Sequence, residues 1–409
     1  MARVLLLLPT TTYRTQAFVD AARALGVELV CASEQPSTLE ALSPDSLLTL
    51  DFNDPEGAAA RVAAWSRTRP LDAVVGVDDL TATAAAAIAR RLGLRANAPQ
   101  AAAAARDKFA MRRALAAAGV PVPAFRRLPL EADPAAAARE AAYPCVLKPL
   151  ALAASRGVIR ADTPEQFIAA FRRIRALLAR DDVPVTGDAA RFLLVERYVP
   201  GVEVALEGLL TGGTLQVLAL FDKPDPLEGP VFEETIYVTP SRLPEAVQAG
   251  IRATTAAACA ALGLTEGPVH AELRVNDAGP WVIEVAARSI GGLCSRTLRF
   301  GTGMSLEELI LRHALGWPIP TFERERRAAG VMMLPIPRAG RLRAVHGRER
   351  AAQVEGVEEV AITAHLGQEL VPLPEGWQYL GFVFARGETP EAVEKALREA
   401  HAQLVFEIE

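Results

Sequence analysis

The stretch that decides the fold runs from Gly267 to Gly292, GPVHAELRVNDAGPWVIEVAARSIGG. It reads as two short strands, HAELRV and WVIEVAA, joined by an Asn-Asp-Ala-Gly-Pro turn. Each strand carries one carboxylate among apolar neighbours, Glu272 on the first and Glu284 on the second. Alternate residues of a strand face one side, so Glu284, Ala286 and Arg288 are expected on one face, with Ile283 and Val285 on the other. If the strands pair, two carboxylates and a guanidinium meet on one surface. Oxygen donors at that density suit a hard cation such as Mg²⁺, and the arginine suits a phosphate or carboxylate bound beside it. An ordinary hairpin with solvated charges would read the same way, so the remaining sequence has to discriminate.

Length and composition describe a soluble globular chain. Its 409 residues can bury a large core and divide into several domains. Hydrophobic content of 51% and charged content of 23% are ordinary for that class. A net charge of -5 without a basic cluster excludes a general nucleic-acid binder. The apolar run Val4 to Leu8 is far too short to cross a bilayer and reads as a buried strand, so no membrane partner is expected and a cytoplasmic location is. Cys31, Cys145, Cys259 and Cys294 form no CxxC pair, and the five histidines lack metal-ligand spacing. Free thiols in a reducing compartment, with no structural zinc, are the expectation. A homodimer is the default expectation for assembly. One bias is more pointed: of 44 basic residues only Lys108, Lys148, Lys223 and Lys395 are lysines. In a chain that uses arginine for generic charge, a retained lysine marks a place where a compact ammonium is needed.

From the amino terminus, strands ARVLLLLP, VELVCAS and DAVVGV alternate with helices, which predicts a parallel sheet covered by helices on both faces. No GxGxxG follows the first strand and no GxxxxGK[ST] occurs anywhere, so the dinucleotide fingerprint and the Walker A loop are both absent. Asp78 and Asp79 end a strand where open sheets bind ligands, but they also suit the cap of the next helix, and capping is the preferred reading. A helix over RDKFAMRRALAAAG leads to YPCVLKPLALAASRGVIRA, in which a strand delivers Lys148 to its end. The following small-residue loop lets backbone N–H groups approach an anion. Strand FLLVERYV, the Pro200-Gly201 turn and strand VEVALEGLL then place Glu196 and Glu203 on either side of one turn. Beyond about residue 319 the pattern changes to a small α+β module.

Taken in order, these segments resemble the ATP-grasp superfamily, and within it the carboxylate–amine ligases. RDKFAMRRALAAAGVPVP is similar to the entry helix, PCVLKP with SRG to the ATP-binding strand and phosphate loop, VERYVPGVEVALEG to the hinge, and HAELRV…WVIEVAARSIGG to the metal-binding hairpin. The resemblance implies an α/β and α+β multidomain fold. It comprises a Rossmann-like domain (residues 1–105), two ATP-grasp subdomains (106–195 and 196–318) and a C-terminal α+β module (319–409). It implies ATP and Mg²⁺, with Mn²⁺ as a possible substitute. Lys108 and Lys148 would contact nucleotide phosphates, and Ser155, Arg156 and Gly157 would form the phosphate loop. Glu196 would lie beside adenine, Val199 would supply the hinge backbone and Glu203 would bind ribose. Glu272 and Glu284 would ligate metal. Arg288, with Gly291 and Gly292, would hold the acyl phosphate or the substrate carboxylate. Ala286 departs from the pattern, since many members carry Asn there. FDKPDPLEGPVFEETIYVTPS further resembles the L-amino-acid ligases, with Glu234 facing a substrate ammonium six positions before Pro240. The implied activity joins two small molecules, a carboxylate and an amine, through an acyl phosphate. Alternatives are another ATP-grasp ligase of purine-pathway or carboxylase type, or a non-catalytic nucleotide-binding regulator.

Overall fold

Apolar strands alternating with alanine-rich helices pack into a parallel sheet at the amino terminus of the chain. In a computed structural model, which describes residues 1–409 except 38, 39, 41, 42, 44 and 184, this sheet has the order β3-β2-β1-β4. Its strands are β1 (Arg3–Leu7), β2 (Glu28–Ser33), β3 (Leu47–Thr49) and β4 (Ala73–Gly76). Helices α1 (Thr15–Leu25), α2 (Pro55–Trp65) and α3 (Asp79–Leu92) follow β1, β3 and β4. Strand β3 lies in a turn-rich stretch that carried no strand expectation. Asp78 caps α3, its carboxylate accepting from the N–H groups of Leu80 and Thr81. Asp79, the first residue of that helix, has a different role described below.

The helix expected over 106–119 is α5 (Lys108–Ala117), and a separate helix, α4 (Pro99–Arg106), precedes it. Asp107 separates them and caps α5, accepting from Phe109 and Ala110 N–H at 2.8 Å each. That cap fixes Lys108 in the first turn of α5. Next come β5 (Phe125–Pro129), α6 (Pro134–Arg139), β6 (Cys145–Pro149), β7 (Ile159–Ala161), α7 (Pro164–Leu178) and β8 (Phe192–Arg197). Their antiparallel sheet has the order β5-β8-β6-β7. Helix α7 lays Phe167, Phe171 and Ile174 against Leu147 and Leu193, all completely buried. Burial of each such side chain is worth roughly 1.5–3 kcal/mol.

The largest element is an eight-stranded antiparallel sheet, β13-β12-β9-β10-β11-β16-β20-β18. Its members are β9 (Val202–Thr211), β10 (Thr214–Lys223), β11 (Ile236–Thr239), β12 (Gly267–Asn276), β13 (Gly279–Ala286), β16 (Ala328–Leu334), β18 (Val357–Ile362) and β20 (Gly381–Gly387). Helix α8 (Glu245–Leu262) precedes β12. The short pair β14 (Arg299–Phe300) and β15 (Met304–Ser305) leads into α9 (Leu306–Ala314). Around the last strands lie β17 (Gly340–His346), α10 (Arg348–Ala352), β19 (Glu369–Leu370), α11 (Pro390–Gln403) and β21 (Val405–Ile408). Strand β11 pairs with β16 from Ile236–Met332 to Thr239–Ala329. The boundary drawn at 318/319 from sequence therefore cuts one continuous sheet, and the carboxyl-terminal module is an extension of it. One face of the central strands (Ala205, Leu209, Phe221) joins a core with Val4, Leu6 and Val75 of the first domain, which seats that domain against the sheet.

Candidate active site

The segments meet around a cavity of about 340 Å³. Its lining includes Tyr13 and Asp79 from the first domain, Lys108, Lys148 and Ser155 from the second, Glu196, Glu272 and Glu284 from the sheets, and Met333 and Tyr379 from the carboxyl-terminal module. Three of the four lysines, Lys108, Lys148 and Lys223, are less than a tenth exposed and gather at this cavity or beside it. Lys395 is solvent-exposed on α11.

At one end, β6 and β8 set the lysine and the hinge glutamate side by side. Lys148 Nζ lies 2.6 Å from Glu196 Oε2, and Arg112, wholly buried on α5, donates to Glu196 Oε1 and to the Ile283 carbonyl. Burial pushes the Lys148 ammonium down from its ordinary pKa, and Glu196 opposes that shift. Glu196, expected beside adenine, thus has both oxygens engaged by cations and holds Lys148 in place. Lys108 Nζ donates to the Leu152 carbonyl at 2.8 Å and to Glu284 Oε1 at 3.2 Å. The Val199 carbonyl at the hinge accepts from Arg274 Nη1 at 3.0 Å, and the same arginine donates through Nε to Glu203 at 2.9 Å.

The loop expected to bind phosphate divides into two halves. Ala154 and Ser155 line the cavity with φ of 55° and 54°, a left-handed backbone that costs a residue with a Cβ about 1–2 kcal/mol. Arg156 and Gly157 turn the other way. Arg156 Nε donates to the Glu375 carbonyl and the Gly157 N–H to the Pro374 carbonyl, both at 2.8 Å. Glu375 in turn takes a two-pronged ion pair from Arg173 of α7. A strap of the carboxyl-terminal module therefore grips the back of the loop, a contact between residues more than 200 positions apart that sequence reading did not reach.

Beyond the lysines lies the hairpin. Glu272 and Glu284 are direct cross-strand partners, and both line the cavity. The register slips immediately afterwards, so that Leu273 faces Val282 and Ile283 is bulged out. Ile283 was expected on the far face; the bulge turns it into the cavity wall beside Glu284. Strand β13 ends at Ala286, so the position of Arg288 is set not by strand alternation but by Asp79, which accepts from its Nε and Nη2 at 3.1 and 2.8 Å.

Three of the expected site carboxylates cluster around a lysine that had no assigned role. Oxygens of Glu203, Glu234 and Glu272 lie within 4.8 Å of one another, and Lys223 Nζ sits among them, 2.9 Å from Glu203, 3.1 Å from Glu272 and in a short contact with Glu234. Burial alone would raise Glu272, but Lys223 and His270 hold it well below the usual carboxylate range; burial and the charge of Glu272 push Glu234 upward. His270 lies across β12–β13 from Ala286 and bridges Glu207 (3.2 Å) and Glu272 (3.6 Å). Its burial disfavours the imidazolium, but the two glutamates outweigh burial and raise it to about 9. Ala286 offers no oxygen, but the cluster is not short of them, because Glu203 arrives from β9 and Glu234 from the loop before β11. Lysine scarcity flagged Lys223 without giving it a role; its three partners come from β9, β12 and the loop before β11.

Three family descriptions match the chain: the ATP-grasp N-terminal domain over residues 19–95, the ATP-grasp domain over 141–297, and the L-amino acid ligase C-terminal domain 2 over 332–409. An uncharacterized protein of Sinorhizobium fredii is 25% identical over 98% of this chain and 82% of its own length. Alanine–anticapsin ligase of Bacillus subtilis is 30% identical over 66% of this chain, which spans 60% of that enzyme. The crystal structure of an L-amino acid ligase from Bacillus licheniformis superimposes with a TM-score of 0.81, 24% identity and coverage of 100% of this chain and 99% of that one. The domain matches and the shared architecture agree, and the chain belongs to the ATP-grasp superfamily, with a carboxyl-terminal domain of the L-amino acid ligase type.

Proposed function

We propose that the chain is an ATP-dependent carbon–nitrogen ligase that joins the carboxylate of one amino acid to the amine of another, releasing ADP and phosphate. The observation that supports this reading is a single cavity lined by Lys108, Lys148, Arg288 and Glu234, residue types suited to phosphates, a carboxylate and an ammonium. A donor carboxylate oxygen attacks the γ-phosphorus of ATP, and the bond to the bridging oxygen of ADP breaks. The donor is then an acyl phosphate. The second amine attacks the acyl carbon, the carbon–oxygen bond to phosphate breaks, and the amine loses a proton to solvent.

Phosphoryl transfer needs alignment and charge neutralisation more than covalent help. Lys108 and Lys148 are fixed point charges for the phosphates, held by Glu284 and Glu196. Arg288, locked by Asp79, orients the carboxylate and its phosphorylated form. The paired carboxylates Glu272 and Glu284 fit a hard divalent cation, and Mg²⁺ or Mn²⁺ bound there would offset phosphate charge. Glu203 and Val199 would face the nucleoside, and Ser155 would approach the phosphates while the strap at Pro374–Glu375 keeps the loop shut against water. A coupled assay for ADP tests the reading: ADP release should require a pair of amino acids, or one serving as both donor and acceptor. Absence of stimulation by any pair would remove the ligase reading.

A further inference from the structure

Resting on that reading, we infer that the donor amino acid carries a large uncharged apolar side chain, received by a recess of Tyr13, Ile290, Gly292, Cys294, Met333 and Tyr379. All six line the cavity. They come from four separated parts of the chain, and none carries a formal charge at neutral pH.

The recess adjoins the groups that would hold the donor's α-carbon substituents. The Met333 N–H donates to the Thr235 carbonyl at 2.7 Å, which places Met333 beside the Glu234 backbone. Tyr237, whose hydroxyl donates to Glu234 at 2.9 Å, lies in the same core cluster as Cys294 and Met333. Ile290 and Gly292 follow Arg288 directly. A donor with its ammonium at Glu234 and its carboxylate at Arg288 therefore turns its side chain toward the sulfur atoms of Cys294 and Met333, which lie 3.8 Å apart.

The walls are rigid and apolar. Phe382 underlies the recess, with Tyr13 edge-on at 5.4 Å and Tyr379 at 6.0 Å between ring centroids. Gly292 lies flat on that ring, since a Cβ there would come within 3.1 Å of Phe382. At Gly291, by contrast, an added Cβ meets nothing within 4 Å, so the turn leaves open volume. Burial and the neighbouring carboxylate of Glu234 push the Cys294 thiol up to about 12, so it stays neutral.

Among the described residues, the charged groups that line the cavity next to the recess are already engaged, and Glu233, close to Tyr379, does not line it. Arg14 is committed to Glu307 at 2.6 Å and to the Ile290 carbonyl. Arg288, braced by Asp79, is taken by the donor's own carboxylate, and Asp78 is taken by the cap of α3. A charged donor side chain would be stripped of water without compensation, whereas an apolar one gains from transfer out of water.

The test is ADP release with each donor in turn against a fixed acceptor, alongside thermal shifts with each amino acid alone. Leucine, methionine and phenylalanine should exceed aspartate, lysine and arginine at least a hundredfold in kcat/KM, and should raise the melting temperature where charged ones do not. Met333→Glu should cut the apolar preference at least tenfold, while Met333→Leu, of similar volume, retains it; the melting temperature of each variant shows whether it folds. Equal use of charged and apolar donors, or a preference for charged ones, would overturn the inference and leave the ligase reading intact. Apolar amino acids that raise the melting temperature without stimulating ADP release would support the recess and sink the ligase reading instead. Neither stabilisation nor ADP release with any amino acid would overturn both.

Discussion

The two ends of the cavity are built on different plans. The part proposed to take the nucleotide draws its charged groups in chain order from α5, β6, β8 and the β12–β13 hairpin. Those charges are paired across short distances, as in Arg112–Glu196–Lys148 and Lys108–Glu284. The substrate end is made of tips borrowed from elsewhere: Tyr13 and Asp79 from the parallel-sheet domain, Met333, Trp377 and Tyr379 from the carboxyl-terminal module. On the proposed reading, the nucleotide-handling charges all lie between Lys108 and Glu284 and follow chain order. A pocket that must discriminate among side chains is assembled where separate modules meet, so each wall can be changed without touching the others.

The largest expected contrast comes from Lys148→Ala. It should lower kcat/KM for ADP formation about a hundred- to thousandfold, with the ranking of donor amino acids unchanged. A changed donor ranking would mean the two ends are not separable. Next is Lys223, which stands at the junction with three carboxylates around it. Lys223→Met leaves those charges uncompensated and should cost about 3–5 kcal/mol in denaturant unfolding. Added Mg²⁺ should restore more stability to this variant than to the parent chain, because the vacated centre is a three-carboxylate cation site. Equal Mg²⁺ effects in both would show that the cluster holds no cation.

A smaller effect is expected from the strap. Arg173 and Glu375 are partly exposed, so Glu375→Ala should change stability by less than about 1 kcal/mol. It should nevertheless raise ADP release without the acceptor amine severalfold, because a looser phosphate loop admits water. A further effect, seen only in stability, concerns pH. Burial, and then the charge of Asp79, raise the Asp78 carboxyl to about 6. An acid raised on folding binds its proton more tightly in the native state, so Asp78 lowers stability as pH rises from its unfolded value, near 4, through 6. Asp78→Asn keeps the cap and removes the charge. It should stabilise the chain by about 1–2 kcal/mol at pH 8 and by little at pH 4; a difference independent of pH would contradict the assignment.

The same contrast sorts what could be read from sequence. The hairpin, the lysine at the end of β6, the Pro-Gly hinge and the alternating first domain were legible, because strand period, turn residues and motif order are local signals. The face of Ile283 was not, since a one-residue bulge reverses alternation without leaving a mark in composition. Asp79 read equally well as a cap, and only the folded chain brings it to Arg288, 209 positions away. Lys223 stood out by rarity, yet its partners Glu203, Glu234 and Glu272 meet only when the large sheet forms. Arg156 matched the phosphate loop by position, but its side chain is taken by Glu375 and Asp182. The continuity of β11 with β16 was hidden by the charged connector at 319–327, which reads as a linker while the sheet closes behind it.

The central claim, that one cavity brings a donor carboxylate against the γ-phosphate of ATP, is tested most directly with a donor amino acid labelled with ¹⁸O in its carboxylate. Attack of that oxygen on phosphorus followed by amine displacement moves one labelled oxygen into the phosphate released per bond formed. The account predicts labelled inorganic phosphate in step with product. Unlabelled phosphate, or label appearing in AMP, would contradict it.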